Sequence, residues 1–188
     1  MARPRSDDKR SAILAAAVRV IVAHGLSAPT AQIAREAGVA NGSLFTYFET
    51  KAALFNQLYL ELKAEMASAA LEGLPTGADV REQFAHAWTQ WMRWAVRHPA
   101  QRRALALLGV ADEITPASHA IGRQTMADLA TLMERARTNG AMRDAPFALV
   151  AALMNAVAEA TMDVMLQDSA NADAHCRVGF DALWHMLS

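Results

Sequence analysis

Apolar positions along this chain recur every three or four residues, and no sustained alternation of apolar and polar residues marks a strand. That rhythm belongs to α-helices, and the abundance of alanine, leucine and methionine supports it. Ser6 is placed to cap a first helix, with Asp7 and Asp8 at its positive end and Ile13, Ala17, Val20, Ile21 and His24 following at helical spacing. Gly25 ends it. The run from Thr30 to Phe55, TAQIAREAGVANGSLFTYFETKAALF, then breaks the rhythm twice. A second helix starts after Pro29, at Thr30, and stops at Gly38, where a residue tolerant of positive φ is useful; a third covers about 41–48. Thr50 caps a longer fourth helix that continues past Leu62 to the break GLPTG at 73–77.

Beyond that break the pattern predicts helices over 79–98, 99 to about 110, and about 116–138, then two more after Pro146 and Ala172. The helix over 146–168 is apolar on much of its circumference, with Phe147, Val150, Met154, Val157 and Met165 on one side and Leu149, Leu153, Ala160 and Val164 on another. Such a helix must be covered twice, by its own core and by a second subunit. Asn155, Glu159, Asp163 and Gln167 form a polar stripe along it. Solvent or a dimer seam ranks ahead of a role in holding a cationic ligand, because a buried unpaired carboxylate is costly. The last helix offers Cys176, Phe180, Leu183 and Leu187 as an apolar face, and the two together suit a four-helix bundle across a two-fold axis. The expected partner is thus a second copy, docked through about 146–168 and 172–187.

Two short helices joined by a tight glycine turn cannot bury their apolar faces alone, so the first helix must pack across them. Ile33, Ala34, Ala37, Val39 and Leu44 are the expected small core, the alanines letting the helices cross closely. The third helix then faces outward, as a recognition helix in a major groove does. The expected fold is all-α, with about nine helices: a three-helix N-terminal head over 1–52, its helix-turn-helix at about 29–48, joined to a larger helical bundle over 53–188.

Charge sharpens this picture. The 188-residue chain carries a net charge of −1, which argues against a protein that coats nucleic acid. Yet residues 1–51 hold Arg3, Arg5, Lys9, Arg10, Arg19, Arg35 and Lys51 against Asp7, Asp8, Glu36 and Glu49, so a mildly basic head sits on an acidic body. Cys176 is the one cysteine, which excludes an intramolecular disulfide and a multi-cysteine metal cage and fits a reducing cytoplasm. The histidines show no paired metal-ligand spacing, no glycine loop cradles phosphate, and the adjacent His175 and Cys176 point to different helix faces. Neither an enzyme nor a metal or cofactor is expected. No window is expected to approach a membrane span, and Asp7, Asp8 and Arg19 interrupt the leader-like start.

The run from Thr30 to Phe55 strongly resembles the N-terminal helix-turn-helix of TetR-family transcriptional regulators. The family pattern has a threonine opening the second helix, IA..AGV through the turn, a glycine early in the third helix, then Y.YF or Y.HF and a lysine. The resemblance covers the first third of the chain. It implies a homodimer that binds a pseudo-palindromic double-stranded DNA operator, most often as a repressor, and lets go when a small-molecule effector enters the C-terminal domain. Carried over residue by residue, it implies phosphate contact for Thr30, Tyr47 and Lys51, close backbone approach at Gly42, and short hydrogen-bonding groups at Ser43 and Thr46. Asn41 is suited to a phosphate or to an adenine edge, although a basic residue is common there. Phe45 stands where tyrosine is usual. Leu44, Phe45 and Phe48 are expected to hold the head together while Thr46 and Tyr47 face outward with Lys51. Binding should lean on Tyr47, Lys51 and the arm residues Arg3, Arg5 and Arg10, the arm remaining open to the plainer reading of a basic tail.

In the body, Phe84, Trp88, Trp91, Met92 and Trp94 lie on one helix, Trp88 and Trp91 sharing a face that Trp94 does not. Large aromatics and flexible methionines can line an adaptable cavity for a hydrophobic effector, so Phe84, Trp88, Trp91, Met92, Met126, Met133, Met154 and Met162 are the ligand candidates. Packing is the rival explanation for each of them. Two rivals remain for the whole chain: a helical ligand-binding or enzymatic protein that no longer binds DNA, and an adaptor that docks a foreign partner on its last two helices.

Overall fold

The computed structural model describes residues 4–188, with side chains from Asp7 onward. Among the described residues there is no strand; ten α-helices carry the fold. They are α1 (Pro4–His24), α2 (Thr30–Glu36), α3 (Asn41–Tyr47), α4 (Lys51–Leu71), α5 (Val80–Arg97), α6 (Pro99–Gly109), α7 (Pro116–Thr125), α8 (Ala127–Arg137), α9 (Phe147–Gln167) and α10 (Ala172–Leu187), with a 3-10 turn, Ser169–Asn171, before the last. Most ends follow the sequence signals. Thr50 Oγ1 accepts from Ala53 N at 3.0 Å and Asp79 Oδ1 from Glu82 N at 2.9 Å, each occupying an amide that α4 or α5 leaves unpaired in its first turn.

Two boundaries differ from expectation. α1 begins at Pro4, so Ser6 lies inside the helix rather than capping it; proline is compatible with a first turn because it has no amide to satisfy. The single helix expected over 116–138 is two, which makes ten helices rather than about nine. Met126, at φ −94° and ψ 7°, leaves the helical well, and α8 restarts with Ala130 N donating to Met126 O at 2.9 Å. Neither proline nor glycine stands there; the break lies beside residue 125, where the chain passes between its two compact units.

The first unit is Met1–Ala64 with Pro99–Gln124, so α6 and most of α7 join the head in one compact body. Within it α1 packs on α2 and α6, and α2 on α3. Ile13, Ile21, Ile33, Ala34 and Leu44 are at most 1% exposed, whereas Ala37 and Val39, also expected in this core, are half-buried. Each fully buried isoleucine or leucine stabilises by roughly 1.5–3 kcal/mol. Arg19 Nε reaches Glu36 Oε1 at 2.7 Å and ties α1 to α2 across an exposed gap, a pair worth about 0.2–1 kcal/mol. Asn56 of α4 fastens the loop before α7. Its amide nitrogen donates to Ala52 O and Glu113 O, both at 2.7 Å, and its oxygen accepts from Thr115 N at 2.9 Å.

The second unit is Glu65–His98 with Thr125–Ser188. Here α5 packs on α8, α9 and α10, and α9 packs on α10. The buried Gln83 is fully used: it donates to Ala78 O at 2.8 Å and Thr76 O at 3.2 Å and accepts from Arg135 at 2.9 Å. Arg137, also buried, pairs with Glu134 and donates to the carbonyls of Met142 and Ala145 at 2.7 Å, which pins the turn into α9.

α9 corrects the expectation about membranes. Phe147–Gln167 is long and apolar enough to cross one by length and composition. Its apolarity has a different distribution from that of a span, since Val150, Ala158, Met162 and Met165 are buried in its own unit while Leu149, Leu153, Ala156, Ala160 and Val164 form an exposed row. The polar stripe Asn155, Glu159, Asp163 and Gln167 is exposed throughout. On α10, Cys176, Phe180, Leu183 and Leu187 are buried within the chain's own unit, so that face is not free for a partner. The outer side of α10 is instead represented by Val178, Ala182 and His185.

Candidate nucleic-acid interface

The turn between α2 and α3 is fixed by backbone chemistry. α2 ends with Gly38 N donating to Arg35 O at 3.1 Å and Val39 N to Ala34 O at 3.0 Å, the paired bonds of a Schellman motif. Gly38 sits at φ +68°, where a side chain would be strained. Pro29 and Ala40 precede α2 and α3 with extended backbones and supply no side-chain cap. Thr30 is therefore the first residue of α2, half-buried, and Asn41 the first of α3, exposed.

Around α3, Leu44 and Phe48 point into the core at 0% and 5% exposure. Asn41, Gly42 and Thr46 are exposed; Ser43 and Tyr47 are half-buried and border the same arc. Phe45 corrects the sequence reading: it is 41% exposed rather than part of the head's core. At 100° per residue it falls between Asn41 and Gly42, turned away from Leu44, a result that helical-wheel arithmetic alone would have given. A Cβ added to Gly42 would meet nothing within 4 Å. No neighbour inside the molecule requires a glycine there.

Lys51 opens α4, half-buried, with its ammonium 5.3 Å from the Phe55 ring centroid, close enough for a cation–π contact that orients it. Among the described residues no carboxylate pairs with it. Arg10 behaves otherwise than expected of an arm residue. It lies within α1, stacks 5.8 Å from the Phe48 ring centroid and forms an ion pair with Glu61, so its charge is already engaged. Arg3 and the side chain of Arg5 lie outside the described residues.

A sequence profile described as "Bacterial regulatory proteins, tetR family" matches residues 13–58. The fold is similar to that of a TetR-family transcription regulator from Marinobacter aquaeolei VT8, 27% identical, with 98% of each chain covered and a TM-score of 0.88. Residues 13–58 thus match the TetR-family DNA-binding region, and the chain has the fold of TetR-family transcription regulators. A further TetR-family structure, from Shewanella sp. PV-4, is 24% identical over 94% of this chain and 96% of that one, with a TM-score of 0.83. The Bacillus subtilis regulator FadR, solved with stearoyl-CoA, shares the fold at 17% identity, covering 95% of this chain and 97% of that one with a TM-score of 0.68.

Within this TetR-like fold the eight candidate ligand residues separate by burial. Phe84, Trp88, Met92, Met133 and Met162 are at most 5% exposed; Trp91, Met126 and Met154 are half-buried. Trp88 Nε1 donates to Cys176 O at 3.0 Å and meets Trp91 edge-on at 6.0 Å. Trp94, expected off the core face, is buried as well, and Trp91 is the indole left at the edge. An open cleft of about 270 Å³ between α5 and α10 is lined by Arg81, Thr89, Cys176, Arg177 and Phe180 among others, and by none of the eight. Cys176 is a buried thiol whose pKa burial pushes up, while its neighbour His175 turns to Asp168 at 2.8 Å. That suits packing better than nucleophilic work.

Proposed function

We propose that this protein is a DNA-binding transcriptional repressor acting in the cytoplasm, bound as a homodimer to a pseudo-palindromic operator and released by a small hydrophobic effector. In this reading residues 1–52 bind DNA, and 53–188 bind the effector and dimerise. The observation that carries it is the exposed arc of α3. Its residues are short or absent side chains, Gly42 answers no internal need, and Tyr47 and the unpaired Lys51 stand close by in sequence at its end. Such a surface suits a groove wall, where phosphate contacts from Thr30, Tyr47 and Lys51 fix register and Asn41, Ser43 and Thr46 reach base edges. The exposed Phe45 adds an apolar contact of the kind a thymine methyl accepts.

The exposed apolar row of α9 supports the dimer, because an uncovered stripe of that kind on a soluble protein is usually an interface. Two copies would address half-sites on the order of 34 Å apart. An effector acts by binding the DNA-free arrangement better, since only differential affinity moves that equilibrium. The eight aromatic and methionine candidates are the proposed hydrophobic lining, with Trp91, Met126 and Met154 most accessible.

Selection from a random duplex pool should recover a two-fold-related sequence. On that site, Lys51→Ala should lower affinity about tenfold and reduce the salt slope by about 1 without changing which bases are preferred. Tyr47→Phe should weaken binding less, having lost one hydroxyl. Recovery of no sequence at all would return the balance to a ligand-binding protein without an operator.

A further inference from the structure

Two cations of the first compact unit stand over aromatic rings at the junction of α3 and α4. Arg10 of α1 lies 5.8 Å from the centroid of Phe48, the residue that follows α3, and Lys51 lies 5.3 Å from that of Phe55 on α4. Their charges are used differently. Among the described residues no carboxylate pairs with Lys51, whereas Arg10 forms an ion pair with Glu61. At 1.5 Å per residue, Glu61 stands roughly 15 Å along α4 from Lys51. Its carboxylate is oriented by its own helix: Gln57, one turn earlier, donates from Nε2 at 3.1 Å to the same Oε1 atom that accepts from Arg10. One acceptor oxygen thus ties α1 to α4 and fixes the guanidinium that covers Phe48.

The pair contributes little to folding. Its two side chains are 36% and 35% exposed, so solvent screens their attraction, and the burial of Ile13, Ile33 and Leu44 outweighs it. Its consequence is geometric. α3 has seven residues, and the Gly38 turn sets its N-terminal end. At the other end the Phe48 amide closes the helix on Leu44 O at 3.0 Å, after which the backbone runs extended at φ −138° and ψ 109°. Phe48, Glu49 and Thr50 separate Tyr47 from Lys51, and of the three Phe48 alone is buried. Whatever holds Phe48 therefore holds the spacing between the two proposed phosphate contacts.

We infer that Arg10 and Glu61 form a positioning strut for DNA binding: the guanidinium, held by the Glu61 carboxylate, braces Phe48 and so sets where Tyr47 and Lys51 meet the phosphate backbone. This rests on the DNA-binding half of the proposed function. Arg10 makes no phosphate contact of its own, because its charge is engaged by Glu61. The two roles open to such an arginine make opposite predictions at its partner. If Arg10 served DNA directly, Glu61 would compete with phosphate for it, and neutralising the carboxylate would tighten binding. For a strut the same change loosens it.

Operator affinity of the full-length protein, measured across a salt series on the duplex that the wild-type protein selects from a random pool, separates these roles. Glu61→Gln should weaken binding about threefold, although removing a negative charge from a DNA-binding head by itself favours binding. Arg10→Met should weaken it about tenfold with the slope of log affinity against log salt unchanged, since no phosphate contact is lost. Arg10→Lys should recover part of that loss, because the ion pair survives without the planar stack. The Arg10→Met, Glu61→Gln double variant should bind no worse than Arg10→Met alone. Combination with Lys51→Ala distinguishes positioning from a general weakening of the fold. Arg10→Met and Lys51→Ala should be less than additive in operator affinity, because the strut acts partly through Lys51, yet additive in their effects on melting temperature. Tighter binding by Glu61→Gln, or a salt slope reduced by about 1 in Arg10→Met, would overturn the strut, make Arg10 a phosphate contact and leave the DNA-binding reading intact. Unchanged affinity in both variants would also overturn it. A wild-type protein that selects no duplex would remove the DNA-binding reading and the strut with it.

Discussion

The exposed arc of α3 and the exposed row of α9 are both left uncovered by the chain, yet they are made of opposite materials. α3 presents Asn41, Gly42 and Thr46, groups that water solvates well, with Phe45 the one large apolar member. α9 presents Leu149, Leu153 and Val164 with alanines between them. Apolar area left in water forgoes about 25 cal/mol per Å². The α9 row therefore favours a cover that stays, whereas the α3 arc loses little while it waits. The contrast separates a standing partner from a reversible one.

The largest expected effect comes from charging the standing surface. Leu153→Arg together with Val164→Arg should leave the far-UV circular dichroism helical and convert a dimer into a monomer by sedimentation at micromolar concentration. Operator affinity should then fall by roughly a hundredfold or more, because the second half-site is no longer held at high effective concentration. A double variant that still sediments as a dimer would break the comparison at once.

Truncating one leucine in each region sharpens it further. Leu44 is 0% exposed and Leu153 36%. Leu44→Ala should cost about 2–5 kcal/mol in urea unfolding, at any protein concentration, because the cavity it leaves lies inside one chain. Leu153→Ala should cost little in dilute protein and progressively more as concentration rises, since its contribution is felt through association. Equal, concentration-independent losses would mean that α9 is covered by its own chain.

Much of this was legible in the sequence, for identifiable reasons. Helix ends written in side-chain chemistry, such as Thr50, Asp79 and Gly38, came out where the signals put them, because a cap or a positive φ is a local requirement. The break at Met126 carries no such signal and was missed. The head core was read correctly at Ile33, Ala34 and Leu44 and wrongly at Phe45, where hydrophobicity was given more weight than the angle of the residue on a short helix. Arg10 illustrates a different limit. Its type and position suited a DNA-binding arm, but only the three-dimensional arrangement brings Glu61, far along the chain, against it. The packing of Tyr59 against α7 was invisible for the same reason: α4 and α7 are joined by nothing in the pattern, and the informative residue is Gly122, seen only as missing volume.

The smallest effect discriminates most finely, because it opposes stability to function at one atom. Gly42 is helical, and an added Cβ there meets open space, so Gly42→Ala should stabilise the free protein by about 0.4–1 kcal/mol through a less flexible unfolded chain and better helix propensity. If α3 lies against DNA at this position, the same methyl occupies space that the duplex needs, and operator affinity should drop even as the melting temperature rises. Gly38→Ala provides the opposing control. At φ +68° it strains the turn and should lower the melting temperature, weakening DNA binding only through misplacement of α3. A Gly42→Ala protein that is more stable and binds its operator with unchanged affinity would mean that this glycine faces solvent in the complex, and the contact surface would have to be moved along α3 towards Tyr47 and Lys51.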